Sequence, residues 1–140
     1  MAGDAHHALV ETRRTRATAI ATQCTRYAAR VQYHHVTLRT LCAVAGVSER
    51  RVRDAFYECF GVSPTVHLRN SALREVRRTL IARPAARDAV TRAASDFGFW
   101  HLSRFAGQYR ALFGESPSET LTRAREERFA TATVGARTAS

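Results

Sequence analysis

The chain has 140 residues, 45% of them apolar, and a formal charge of +10 in which all 22 basic residues are arginine. That length and apolar share suffice for one domain with its own core. A pI near 11.1 asks for an anionic partner, nucleic acid before acidic membrane. No run approaches the roughly 18 apolar residues of a membrane span, and no charged-then-apolar leader opens the chain, so a cytoplasmic location is expected.

In chain order, residues 1–8 read as a disordered N-terminus. From Leu9 to Val31 there is neither glycine nor proline, and Ile20, Cys24, Tyr27, Ala28 and Val31 form a helical stripe. Arg13, Arg14 and Arg16 lie upstream of that stripe, as a solvated charged end or as phosphate contacts. His34-His35 is a poor metal pair, because adjacent side chains diverge and no third ligand is obvious. No metal is expected. Cys24, Cys42 and Cys59 are odd in number, lack a CxxC pair and each fall on the apolar stripe of a helix, as small buried hydrophobes do in a reducing compartment.

Thr37 is a good N-cap for a helix over Leu38–Ala45, and Ser48 for one over Glu49–Phe60. The second of these turns Val52, Ala55, Phe56, Cys59 and Phe60 inward. Arg50, Arg53 and Asp54 stay on its outer face, with Arg51 flanking. Pro64 opens a long helix to Arg83 with Leu68, Ala72, Leu73, Val76 and Leu80 on its buried stripe, and Pro84 ends it. At 1.5 Å per residue such a helix spans roughly 30 Å, close to the pitch of one turn of B-DNA. Val90, Ala93, Ala94 and Phe97 mark the next short helix. After Gly98 apolar residues recur at 102, 105, 109, 112 and 113, leaving Ser103, Arg104, Gln108 and Arg110 outward. Gly114 stands where a left-handed C-terminal residue belongs, and Ser116-Pro117 opens one more helix. Residues 129–140 read as a disordered tail.

Two stretches of this chain are copies. Gly98 stands 52 residues after Gly46, while Phe105, Tyr109, Phe113, Gly114 and Pro117 stand 53 after Val52, Phe56, Phe60, Gly61 and Pro64. Each copy follows a short apolar-periodic segment. Helix, glycine turn, helix is a helix-turn-helix, and it occurs twice.

On those residues the chain resembles the DNA-binding domain of AraC/XylS-type transcription regulators, from about residue 18 to 125. The matching positions are Leu38-x-x-Leu41, Gly46-Val47-Ser48, Phe56, Phe60-Gly61-Val62-Ser63-Pro64, Leu68 and Leu73. In the second half they are Gly98-Phe99, Ser103-x-Phe105, Tyr109 and Phe113-Gly114-x-Ser116-Pro117. The resemblance implies an all-α fold over residues 9–128. It comprises a first unit near 37–61, a linker helix near 64–83 and a second unit near 87–114, about seven helices in all. It implies sequence-specific binding of double-stranded DNA across two successive major grooves, as a monomer, with RNA polymerase as the protein partner and the nucleoid as the location. The implied DNA-contacting set is Ser48, Arg50, Arg51, Arg53 and Asp54, then Arg77 and Arg78 on the linker helix, then His101, Leu102, Ser103, Arg104, Gln108 and Arg110. Asp54 can accept from a cytosine amino group or orient Arg50 or Arg51.

Four positions depart from the family pattern. Ala93 replaces a larger aliphatic, Gly107 a residue that is often basic, Ala72 an arginine and Thr120 an aromatic, all pointing to a weaker second half. The residues before 37 leave no room for the sensing domain most such regulators carry. A helical protein-interaction or RNA-binding module is the alternative. With no paired nucleophile and base, phosphate loop or metal cluster in view, neither catalysis nor a cofactor is expected.

Overall fold

A computed structural model describes residues 2–139, and among these every regular element is helical. The helices are α1 (Ala2–Val31), α2 (Leu38–Ala45), α3 (Glu49–Phe60), α4 (Pro64–Ala82), α5 (Ala89–Asp96), α6 (Leu102–Phe113) and α7 (Pro117–Thr138), with one 3-10 turn at Tyr33–His35. The helices expected at 38–45 and 49–60 fall on the expected residues, and α4 ends one residue early. Local chemistry explains this accuracy. The Thr37 and Ser48 side chains accept the backbone N–H groups of Thr40 and Arg51, satisfying donors a helix start leaves orphaned. Gly46, Gly61 and Gly114 close α2, α3 and α6 in the left-handed region, at φ 65°, 71° and 73°, where a side chain would be strained.

The chain divides into two compact units, one reaching to Ser71 and the other beginning at Ala72. The reason is visible on α4, whose stripe serves two cores. Leu68 joins Cys24, Ala28, Leu41, Val52 and Phe56 in the first. Leu73, Val76 and Leu80 join Ala89, Ala93, Ala94, Phe105, Tyr109 and Leu121 in the second.

Both chain ends differ from expectation. α1 begins at Ala2 and α7 continues to Thr138, although residues 2–16 and 125–139 are exposed throughout. None of these residues is buried in either core. Alanine-rich composition favours helix there, and threonine hydroxyls at 12, 15, 131 and 133 bond to carbonyls four residues back. Two inward assignments also fail at the end of α3. Cys59 is exposed, and Phe60 is 40% exposed. Phe60 lies past the last turn covered by the core and stacks instead on His67, with ring centroids 4.0 Å apart.

The second unit contains a polar assembly that periodicity does not foretell. Thr120 is fully buried. Its hydroxyl donates to Glu115 Oε1 at 2.7 Å and lies 2.8 Å from the Tyr109 hydroxyl. Because a carboxylate only accepts, Thr120 gives its proton to Glu115 and takes Tyr109's. Glu115 also receives both terminal nitrogens of Arg123, at 2.5 and 2.7 Å. Thus the residue replacing the family's aromatic is not a deficit. It is the centre of a network tying α6 to α7.

Candidate nucleic-acid interface

In the first unit α2, the Gly46 turn and α3 form a helix-turn-helix, and Ser48 begins α3. Val52, Ala55 and Phe56 bury one side of α3; Ser48, Arg50, Arg51, Arg53 and Asp54 are all exposed on the rest. Arg50 and Arg51 carry no ion pair among the described residues, so their guanidinium donors are uncommitted. Arg53 lies 3.6 Å from Glu49, one turn earlier. An exposed pair of this kind is worth well under about 1 kcal/mol and is easily exchanged for another partner. Among the described residues Asp54 forms no ion pair with Arg50 or Arg51. It lines an open cleft of ≈ 450 Å³ with Arg51 and Glu58 of α3 and with Leu9, Arg13 and Arg16 of α1. Sequence reasoning left that cleft out; the i,i+3 spacing of Arg13 and Arg16 was its only signal.

In the second unit α5, the turn at Gly98 and α6 form the corresponding structure. Phe105 and Tyr109 bury α6, while His101, Leu102, Ser103, Arg104 and Arg110 are exposed and Gln108 is half-buried. Arg104 is unpaired among the described residues. Arg110 lies 3.5 Å from Glu119. Leu102 continues the Phe105–Tyr109 stripe but remains 45% exposed and outside the second core.

The two linker arginines part company. Arg78 is open to solvent, bonded only to Glu75 at 2.6 Å. Arg77 is largely covered, with its guanidinium 4.7 Å above the Phe113 ring and Nη1 3.0 Å from Glu115. Arg77, expected at the DNA backbone, thus contacts the end of α6 through the Phe113 ring and the Glu115 carboxylate. The Glu115 carboxyl is held down to about 2, chiefly by the hydrogen bonds from Arg123 and then Thr120, with both arginine charges adding.

Comparison with known proteins fits this geometry. A helix-turn-helix domain family matches residues 41–123, from within α2 into α7. The crystal structure of a probable AraC family transcriptional regulator from Rhodopseudomonas palustris CGA009 is 35% identical at a TM-score of 0.68, covering 76% of this chain and 97% of that one. The chain belongs to the AraC family of helix-turn-helix transcription regulators. Among its relatives, the XylDLEGF operon transcriptional activator of Pseudomonas putida is 37% identical over 93 residues, which are 66% of this chain and 29% of that protein. The probable thc operon regulatory protein of Rhodococcus erythropolis is 35% identical over 86 residues, 61% of this chain and 26% of its own length. This AraC-family chain therefore spans less than a third of either relative. Among the described residues no helix is long and apolar enough to cross a membrane, and no group of three His, Cys, Asp or Glu side chains could hold a metal ion.

Proposed function

We propose that this chain is the operator-reading part of a transcription regulator, which binds specific duplex DNA by placing α3 and α6 in two successive major grooves. The observation that carries the proposal is the repeated helix-turn-helix, with each second helix buried on an aromatic back and open on a polar front. Affinity comes from arginines neutralising phosphates, Arg78 among them. Sequence preference comes from base-edge contacts by the exposed residues of α3 and α6. Arg50, Arg51 and Arg53 are suited to bond guanine O6 and N7 together, and Asp54 to accept from a cytosine amino group. Ser48 and Ser103, with His101, Gln108 and Arg110, supply shorter or flanking contacts. The domain binds as a monomer, since it already holds two readers, and it acts without catalysis. Its working place is the cytoplasmic nucleoid, and RNA polymerase is the protein partner its operon-activating relative suggests.

Selection of bound sites from random duplexes tests the proposal, followed by titration of the selected site in salt. If roughly 6–10 phosphates are contacted, affinity falls by about 10³–10⁵ between 50 and 200 mM salt. A flat salt response, or failure to enrich any sequence, rejects it.

A further inference from the structure

Aligned at their offset of 53, the recognition helices carry different chemistry. Where α3 has Glu49, Arg50, Arg51, Arg53 and Asp54, α6 has Leu102, Ser103, Arg104, Ala106 and Gly107. Five charged side chains are answered by one. In their place the tip of α6 holds two large apolar groups in water: Leu102, 45% exposed, and Trp100, two residues ahead of it, 71% exposed. Neither belongs to the second unit's core. Gly107, at the place of Asp54 in α3, carries no side chain, and an added Cβ there would meet nothing within 4 Å. On the second turn of α6 the half-buried Gln108 is the one long polar side chain.

The major groove offers one apolar feature, the 5-methyl group of thymine, and aliphatic or aromatic side chains recognise it by contact. We propose that α6 reads its half-site through thymine methyl groups packed against Leu102 and Trp100, whereas α3 reads the other half-site through arginine. The inference rests on the DNA-reading function above and adds to it a chemistry for one half-site. The proposal makes Leu102 and Trp100 specificity-determining residues and leaves Arg104 to fix the register of the helix on the backbone.

Two measurements on the unaltered chain test it. Trp100 is the only tryptophan, so its emission reports this surface alone. In the free protein it should be that of a water-exposed indole, and saturation with the selected duplex should shift it to the blue or quench it. Next, each thymine of the selected site is replaced singly by uracil, which removes the methyl and nothing else. Affinity should fall about fourfold at the thymine beneath Leu102, the equivalent of burying one methyl-sized group. Leu102→Ala should bind the thymine and uracil duplexes equally, and Leu102→Met should restore the preference. Unchanged Trp100 emission at saturation overturns the proposal and marks the patch as a protein-docking surface instead. Tolerance of uracil throughout that half-site, while Arg50→Ala still relaxes the other, overturns it and leaves the DNA-reading function standing. If no sequence is enriched at all, both readings fall together.

Discussion

The two helix-turn-helix units reach the same shape by different means. In the first, both helices start on side-chain caps, Thr37 and Ser48, each worth about 1 kcal/mol. In the second, Asp88 lies in the left-handed region at φ 52° without a cap bond, and His101 contributes none either. The second unit is instead secured from its far end. Ser116 and Glu119 close a capping box on α7, Glu115 gathers Arg77, Arg123 and Thr120, and Arg125 Nε bonds the Pro84 carbonyl at 2.7 Å. Net charge does not separate the two units: up to Ser71 ten arginines face five acidic residues, and from Ala72 onward twelve face seven. Their use does: in the first unit Arg53 alone is ion-paired among the described residues, whereas the second commits Arg77, Arg78, Arg110 and Arg123 to carboxylates. A recognition helix can thus be held by its sequence or by its neighbours, and the second choice reduces the cationic surface left for DNA.

The sharpest way to break this comparison is through the cores. Phe56 and Phe105 are both fully buried, one in each. Truncating either to alanine should cost about 3–5 kcal/mol, comparable to the whole stability of a small unit. Amide spectra should show the loss confined to the unit that carries the substitution. Coincident collapse of both units would show that they are not separately ordered.

Next in size are the readers themselves. Arg50→Ala or Arg53→Ala should remove about 1–3 kcal/mol of discrimination in one half-site, and Arg104→Ala less in the other. Arg78→Ala should weaken all sequences alike. Affinities for every single-base variant of the selected site decide the matter. The asymmetry is wrong if the half-site of α6 tolerates fewer changes than that of α3.

Caps and backbone give smaller effects, readable as melting temperatures. Ser48→Ala should cost about 1 kcal/mol, whereas His101→Ala should cost nothing comparable, having no cap bond to lose. Gly107 sits in the middle of α6 with open space around it, so Gly107→Ala should stabilise the second unit by about 1 kcal/mol. Equal losses at Ser48 and His101 would erase the distinction drawn between the two units.

The smallest effect at neutral pH appears only in acid. Glu115 in the folded chain titrates near 2, below its ordinary 4.5, and Glu119 is lowered too by the Ser116 backbone N–H. A depressed carboxyl contributes stability that is present above its unfolded value and lost as pH falls towards the folded one. The second unit should therefore weaken from about pH 4.5 down to about pH 2, and Glu115→Gln should flatten that dependence. Melts of the parent and variant with parallel slopes across this window would place the acid sensitivity elsewhere.

The sequence by itself determined the elements whose signals are local. Thr37, Ser48, Gly46, Gly61, Gly114 and Pro117 act on backbone groups within a turn of themselves, so α2, α3 and α6 could be placed from residue types and spacing. The repeat and the polar fronts of the two recognition helices were legible for the same reason. Tertiary structure alone decided how α4 shares its stripe between two cores, and that Phe60 and Cys59 face solvent. It alone committed Arg77 to Glu115 and Phe113, and Thr120 to the centre of a buried network. Those outcomes join residues far apart in the chain through partners that no periodicity specifies. A guanidinium reads the same in sequence whether it is free or already paired, and only the fold brings the competing carboxylate within 3.0 Å.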